Sequence, residues 1–252
     1  MRVKFVSWKW LQTVIAAMGM AASSWAAEPT VLRVSVSTAW NLPIAQVEDD
    51  RLRSGILMDL YQAIGQKTGL PIAPVVLPRK RIDGAVARGA IDLRCHIHPK
   101  WMDSPDNYAW SKPLFTLRDV LFAHEGTPAL ESIAHIPAGT PISTTLGYAY
   151  PKLDALFADG RLRRDDAVEE EKVLLKMTAD RTPYGLVNSL ALDWYRKKVP
   201  DHKLAPWVLE IDSQPIHCAA PKNAAVAPAR TLAVIEELRK SGRIDAILRT
   251  YR

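Results

Sequence analysis

The feature that most constrains this chain is an alternation of strand-like and helix-like segments that runs through residues 31–95 and then starts afresh. Val31 to Ser37 alternates apolar and polar side chains, the period of a half-buried strand. Ile56 to Thr68 sets Leu57, Leu60, Tyr61 and Ile64 at helical spacing and is closed by Gly69, a residue suited to the left-handed turn that ends helices. Pro71 to Leu77 reads as a second strand. Pro78-Arg79 opens a helix carrying Ile82, Val86 and Ala87 up to Gly89, and Ile91 to Cys95 is a third strand. Strand, helix, strand, helix, strand at this spacing predicts a parallel sheet with right-handed crossovers.

After a polar connection over 101–111, the pattern resumes. Val120 to His124 and Ile142 to Thr145 read as strands, and Pro151 suits the first turn of a helix reaching Phe157. A helix over Glu169 to Ala179, a strand over Tyr184 to Val187 and a helix over Leu190 to Lys197 follow. Trp207 to Ile211 and Ile216 to Ala220 read as short strands. Two helices, Ala229 to Lys240 and Ile244 to Tyr251, finish the chain on either side of Gly242. The predicted class is α/β. Two such units in 252 residues imply two lobes with a cleft between them, a common place for a ligand.

The first segment stands apart from this pattern. Arg2, Lys4 and Lys9 precede an apolar stretch from Trp10 to Met20 that is too short to span a bilayer comfortably, and Ser24-Trp25-Ala26 offers small residues where a signal peptidase reads. The expectation is a signal peptide over 1–26, cleaved after about Ala26, and a periplasmic product. Three of the 33 basic residues and none of the 27 acidic ones lie in that segment, so the remainder carries 30 against 27, a net of +3. With no Lys/Arg tract left, nucleic acid is excluded as an expected partner. Two cysteines, Cys95 and Cys218, remain in a compartment that permits a bridge.

Chemistry-bearing residues concentrate between Gly89 and Pro99. In open α/β sheets, ligands sit beyond the carboxyl ends of the strands, and here the third strand ends in Arg94, Cys95, His96 and His98. Alternate residues on a strand share a face, so the two imidazoles are expected to converge. With Cys95, and with His217 brought near by the Cys218 strand, they are ligand types suited to zinc or copper. No carboxylate accompanies them, and no metal is assigned. Glu169-Glu170-Glu171 can be read as holding a general acid, against the plainer reading of an acidic helix start. No Ser-His-Asp order, phosphate loop or cofactor motif is present. The expectation is therefore no cofactor and no catalysis.

Gly55-Ile56-Leu57-Met58-Asp59-Leu60, Gly89-Ala90-Ile91-Asp92 and Trp110-Ser111-Lys112-Pro113-Leu114-Phe115, followed by Gly147 to Pro151, Tyr184 to Asn188 and Ser241 to Ile247, resemble the family 3 extracellular solute-binding proteins. These are the polar-amino-acid receptors of bacterial ABC importers, and the likeness runs over residues 31–252. The resemblance implies the type II periplasmic binding protein-like fold, with lobe 1 over 27–114 and 214–252, lobe 2 over 119–212, and a hinge near 114–119 and 212–215. It implies a monomer that closes on a small-molecule ligand and meets a membrane permease of an ABC importer. It also implies that the strand after the second crossover lies beside the third strand, which would put Cys218 next to Cys95 as a disulfide candidate.

Carried over position by position, the resemblance makes Trp40 a pocket wall and places Arg79 where a stacking residue usually sits. It brings His96 and His98 past the third strand, and assigns Gly147, Tyr148 and Ala149 to the turn whose amides receive a carboxylate at a helix N-terminus. Two departures stand out. The arginine that grips an α-carboxylate, six residues before Trp110, is here Ser104, and the aspartate that takes the α-ammonium is here Asn188. With both ionic handles gone and Arg79, Arg94, His96 and His98 in their neighbourhood, the expected ligand is a small polar solute bearing a carboxylate. A standard polar amino acid, a metal, or dehydratase chemistry of the kind that cyclohexadienyl dehydratases perform on this scaffold are the alternatives. A sensory partner in place of an importer is a further one.

Overall fold

The computed structural model describes residues 31–252 together with Met1. The expected signal peptide and its cleavage after Ala26 lie outside the described residues.

The first unit begins with β1 (Leu32–Ser37), a small hairpin of β2 (Gln46–Glu48) and β3 (Arg51–Ser54), and α1 (Ile56–Thr68). Next come β4 (Ile72–Leu77), α2 (Arg79–Ala87), β5 (Arg94–Ile97) and β6 (Tyr108–Trp110). α1 buries Ile56, Leu57, Leu60, Tyr61 and Ile64 on one face, and Gly69, at φ 70°, closes it by donating its N–H to the Gly65 carbonyl. β1 and β4 run parallel in unbroken register from Leu32–Ile72 to Ser37–Leu77, and a parallel bridge from Val34 to Leu93 carries the sheet towards β5. Gly55 has φ 110°, and a Cβ there would lie 2.7 Å from the Ile44 carbonyl oxygen, so only glycine lets the hairpin return this closely before α1.

The second unit holds β7 (Phe115–Ala123), β8 (Thr140–Thr145), α3 (Asp154–Ala158), β9 (Leu162–Ala167), α4 (Glu170–Thr178), β10 (Tyr184–Asn188) and α5 (Ser189–Lys198). β11 (Leu209–Pro221) leads back to the first, where α6 (Pro228–Lys240) and α7 (Arg243–Thr250) pack beside α1. The sequence predicts two short strands where β11 is one strand of 13 residues. Asp212-Ser213-Gln214-Pro215 reads locally as a turn, but β7 pairs with it antiparallel from Leu209–Leu121 to Ile216–Phe115 and holds it extended. One sheet, in the order β5-β11-β7-β10-β8-β9 with β6 also on β11, therefore runs through both units. β7 and β11 are the two stretches that cross between them.

One further expectation is corrected, and one strand carries no periodic signal. α3 starts at Asp154 rather than Pro151 and is five residues long. β9 escapes the hydrophobic pattern because its middle is Arg163-Arg164-Asp165-Asp166. Only its ends, Leu162 and Ala167, are buried, and the charges pair as Arg164–Asp166 and Lys176–Asp165, both at 2.8 Å.

The β5–β11 pairing sets Cys95 opposite Cys218, and the two are joined as a disulfide. Nearby, the fully buried carboxylate of Asp92 receives the Arg33 side chain at 2.7 and 2.8 Å. It also accepts the Arg33 and Ala225 backbone N–H groups. Asp92, two residues before Arg94 in the chain, is thus held by Arg33 instead of by that neighbour.

Candidate functional site

Pairing between β5 and β11 slips by one residue: Ile97 faces His217 and Cys95 faces Cys218, leaving His96 as the extra residue of a bulge. Its φ of 59° lies in the left-handed region, uncommon for any residue but glycine. Alternation is thereby broken, so His96 and His98 do not share a face as the strand period predicts. The His96 ring turns into the space between the two units, edge-on to Trp40 at 5.6 Å between ring centroids and stacked near Phe115 at 6.4 Å. Its Nδ1 is buried without a hydrogen-bond partner. Burial, and then the charge of Arg79, lower its pKa to about 4, so it is neutral across the physiological range.

His98 goes elsewhere. It is buried, its Nδ1 accepts the Lys100 N–H at 3.1 Å, and its ring packs against Trp101 and His217. Cys95 is committed to the disulfide, and among the described residues no group of three His, Cys, Asp or Glu side chains is placed to hold a metal ion.

The two arginines also separate. Arg94 is bound to Asp83 at 2.6 Å and to the Tyr108 hydroxyl at 2.9 Å, and its guanidinium lies over the Tyr108 ring. Its charge is satisfied within the first unit, away from Trp40 and His96. Arg79 opens α2, is exposed, and has no ion-pair partner among the described residues. It stands close enough to His96 and Tyr148 for its charge to bear on both.

The second unit contributes the opposite wall. Gly147, at φ 76°, shapes the turn after β8, where the Tyr148 N–H is already donated to the Thr145 carbonyl at 3.1 Å. α3 begins only at Asp154, so the turn of Gly147, Tyr148 and Ala149 is set apart from the helix N-terminus that the resemblance places there. Asn188 caps α5: its Oδ1 accepts the Ala191 N–H at 3.0 Å. Its Nδ2 donates to both oxygens of Glu170 at 2.7 Å, and its backbone N–H donates to the same carboxylate at 3.0 Å. Asn188 thus fixes a carboxylate supplied by the first turn of α4.

Asp119, on β7, lies in register with Asn188 on one side and Asp212 on the other. Burial, then Asp212, push its pKa up to about 6. Glu170 is pushed up to about 7, chiefly by burial and further by Asp119, against the lowering pull of the Asn188 hydrogen bonds. Tyr148 and Tyr150 both feel these two acids. Contacts span the units directly: Asn41, one residue past Trp40, donates its Nδ2 to Glu169 at 2.8 Å, and Lys197 of α5 donates its Nζ to the Thr250 and Arg252 carbonyls at 2.8 and 3.1 Å.

The assembled site is therefore Trp40, Arg79, His96 and Phe115 on one side, with Asp119, Tyr148, Tyr150, Glu170 and Asn188 on the other. Asp119 carried no local signal, because a lone acid in an apolar strand reads as solvent-facing. Glu170 was hidden in an acidic run that ordinarily marks a helix start.

No protein-family model matches this sequence, and no curated protein does. Solved structures do. An ancestral cationic amino acid solute-binding protein superposes with a TM-score of 0.71 at 15% identity, over 88% of this chain and 95% of that one. The arginine-, lysine-, histidine-binding protein ArtJ from Geobacillus stearothermophilus gives 0.63 at 15%, over 88% and 95%. A histidine kinase sensor domain with similarity to periplasmic binding proteins gives 0.65 at 15%, again over 88% and 95%. At such identities the likeness establishes the fold, the two-lobed type II periplasmic binding protein fold. Among the described residues, no helix is long and apolar enough to cross a membrane.

Proposed function

We propose that this chain is an exported solute-binding protein that captures a small polar solute between its lobes and presents it to the membrane permease of an ABC importer. Lobe 1 spans 27–114 and 214–252, lobe 2 spans 119–212, and the hinge lies near 114–119 and 212–215. The observation that carries this reading is the facing of Trp40, Arg79 and His96 across from Tyr148, Glu170 and Asn188, with the Asn41–Glu169 hydrogen bond already spanning the gap. Because β7 and β11 alone carry the chain across, lobe rotation needs only small dihedral changes where those strands pass between lobes. The disulfide and the basic, apolar N-terminus support an oxidising, periplasmic destination. Of the basic groups named from the sequence, Arg79 is the one left free to meet a carboxylate on the solute. No step of this function needs a cofactor or a reaction at the site.

Replacing Arg79 by alanine weakens solute binding at least about tenfold, the loss of one charged contact, and leaves the melting temperature within about 2 °C, as befits an exposed side chain without an ion pair. A large fall in melting temperature at unchanged affinity would make Arg79 structural. The wider test is a thermal-shift screen of the secreted protein against amino acids, organic acids, amines and divalent metals, since only a ligand that prefers the folded state raises the melt. Shifts by metals alone would overturn the reading. The sensor domain that shares this fold favours a second reading, delivery of occupancy to a membrane receptor. Co-purification of the loaded protein with a receptor instead of a permease would select it.

A further inference from the structure

α5 lies against the first unit along one of its faces. Leu190, Trp194 and Lys197 recur at intervals of four and three residues, the spacing that sets side chains on a common helix face. All three meet residues from outside their own unit. Leu190 has no exposed surface and shares one core cluster with Ile64, Ile244 and Tyr251. Trp194 packs against the same cluster, its ring centroid 5.5 Å from that of Tyr251. Lys197 donates its Nζ to the Thr250 and Arg252 carbonyls at 2.8 and 3.1 Å. The receiving side is itself fixed, because Tyr251 is buried and its hydroxyl donates to Asp59 of α1 at 2.9 Å. Arg252 also stands close enough to Asp193 of α5 for its charge to bear on that carboxylate.

These contacts are graded by their distance from the crossing strands. Asn188, which precedes α5, pairs with Asp119 on β7, one of the two strands that pass between the units. At the rise of an α-helix, Leu190 sits about 3 Å beyond that end and Lys197 about 13 Å beyond it. When the units rotate about the crossing strands, the Leu190 contact moves least. The Lys197 hydrogen bonds move most, and such bonds fail beyond about 3.5 Å. The Asn41–Glu169 hydrogen bond lies on the same flank. A cavity of about 380 Å³ runs between it and α5, lined by Asn41, Leu42 and Val47 of the first unit and by Glu170, Leu174 and Trp194 of the second. Parting the units on this flank therefore breaks the Lys197 and Trp194 contacts together with the Asn41 bond.

We propose that Leu190, Trp194 and Lys197 form a brace that holds the lobes together before any solute arrives, with Leu190 at the pivot and Trp194 and Lys197 as the part that lets go on opening. The proposal rests on the two-lobe reading above. Contacts made in one arrangement of a two-state hinge and lost in the other bias its balance by their own free energy, wherever in the molecule they lie. The brace touches no solute, yet it sets how much closure remains for a solute to bring about, and so the apparent affinity of any solute the cleft accepts.

The test reads the lobes of the solute-free protein through paired spin labels on Lys67→Cys in α1 and Lys152→Cys ahead of α3, both exposed positions, with small-angle scattering alongside. The native cysteines are committed to their disulfide and take no label. One short distance is expected to dominate in the parent. Lys197→Met raises the ratio of long to short distances about fivefold, as the loss of hydrogen bonds from a charged donor implies. Trp194→Leu raises it further, and the radius of gyration grows in both. Lys197 is exposed, so its variant folds and melts within about 2 °C of the parent, and it decides the matter alone where Trp194→Leu does not fold. Distances and radius unchanged in folded Lys197→Met overturn the brace. So does a parent whose lobes already stand as far apart as those of the variants. Solute capture is judged independently by the thermal-shift screen and stands or falls there.

Discussion

Replacing Asp92 by alanine lowers the melting temperature by about 10 °C. Its carboxylate has no exposed surface and gathers the Arg33 guanidinium, the Arg33 N–H and the Ala225 N–H. It thereby ties β1, the approach to β5 and the segment before α6 into one knot. Removing one member of a buried pair leaves the other desolvated and unpartnered, which costs about 3–5 kcal/mol, and in a chain of this size each kcal/mol moves the melt by about 2–4 °C. Burial alone would raise the Asp92 pKa, but the Arg33 side-chain and backbone hydrogen bonds and that from Ala225 outweigh it and leave it lowered. The native state therefore favours the ionised form. The resulting stability is in place above the ordinary aspartate range and disappears as pH falls through the lowered value. Asp92→Asn should accordingly lose the part of the acid-induced destabilisation that the parent shows below about pH 4. Melting within about 3 °C of the parent at pH 7 would mean that Arg33 finds another acceptor and the knot is not essential.

Reduction of the Cys95–Cys218 disulfide is expected to lower the melting temperature by about 8 °C. The bridge spans 123 residues, so it closes a loop that contains the whole of the second unit. Opening it restores freedom chiefly to the unfolded chain, worth roughly 2–4 kcal/mol in practice. Both cysteines are buried between β5 and β11, so the double Cys95→Ser, Cys218→Ser variant adds two hydroxyls to an apolar cluster and falls somewhat further than reduction does. Calorimetry with and without reductant checks this. A change under about 2 °C would show that strand pairing alone positions β11.

The two effects differ in how far the sequence announces them. The cysteines are visible as a pair, and the order of segments resembling a known receptor family was enough to set them side by side. The Asp92 knot was not legible. Asp92 sits two residues before Arg94, which invited a local pairing, but Arg33 lies far off in the chain and reaches it because β1 runs beside that strand. Arg94 turns instead to Asp83 and Tyr108.

Local periodicity and punctuation determined α1, β1, β4, β10 and the two terminal helices. The physical reason is that each buries one face with the period of its own backbone, and residues such as Gly69 and Gly242 stop helices by taking a left-handed turn that other side chains resist. The site was decided at a higher level. A single slip in the β5–β11 register turns His96 towards Trp40 and leaves His98 outside. The crossing of β7 beside β10 places Asp119 at the mouth of the sheet, and Asn188 lifts Glu170 out of an unremarkable acidic helix start into the cleft. Strand pairings join residues far apart in the chain, and the direction of a side chain at a bulge or a cap depends on its partner strand. No window of sequence around these residues contains that information; the folded sheet does.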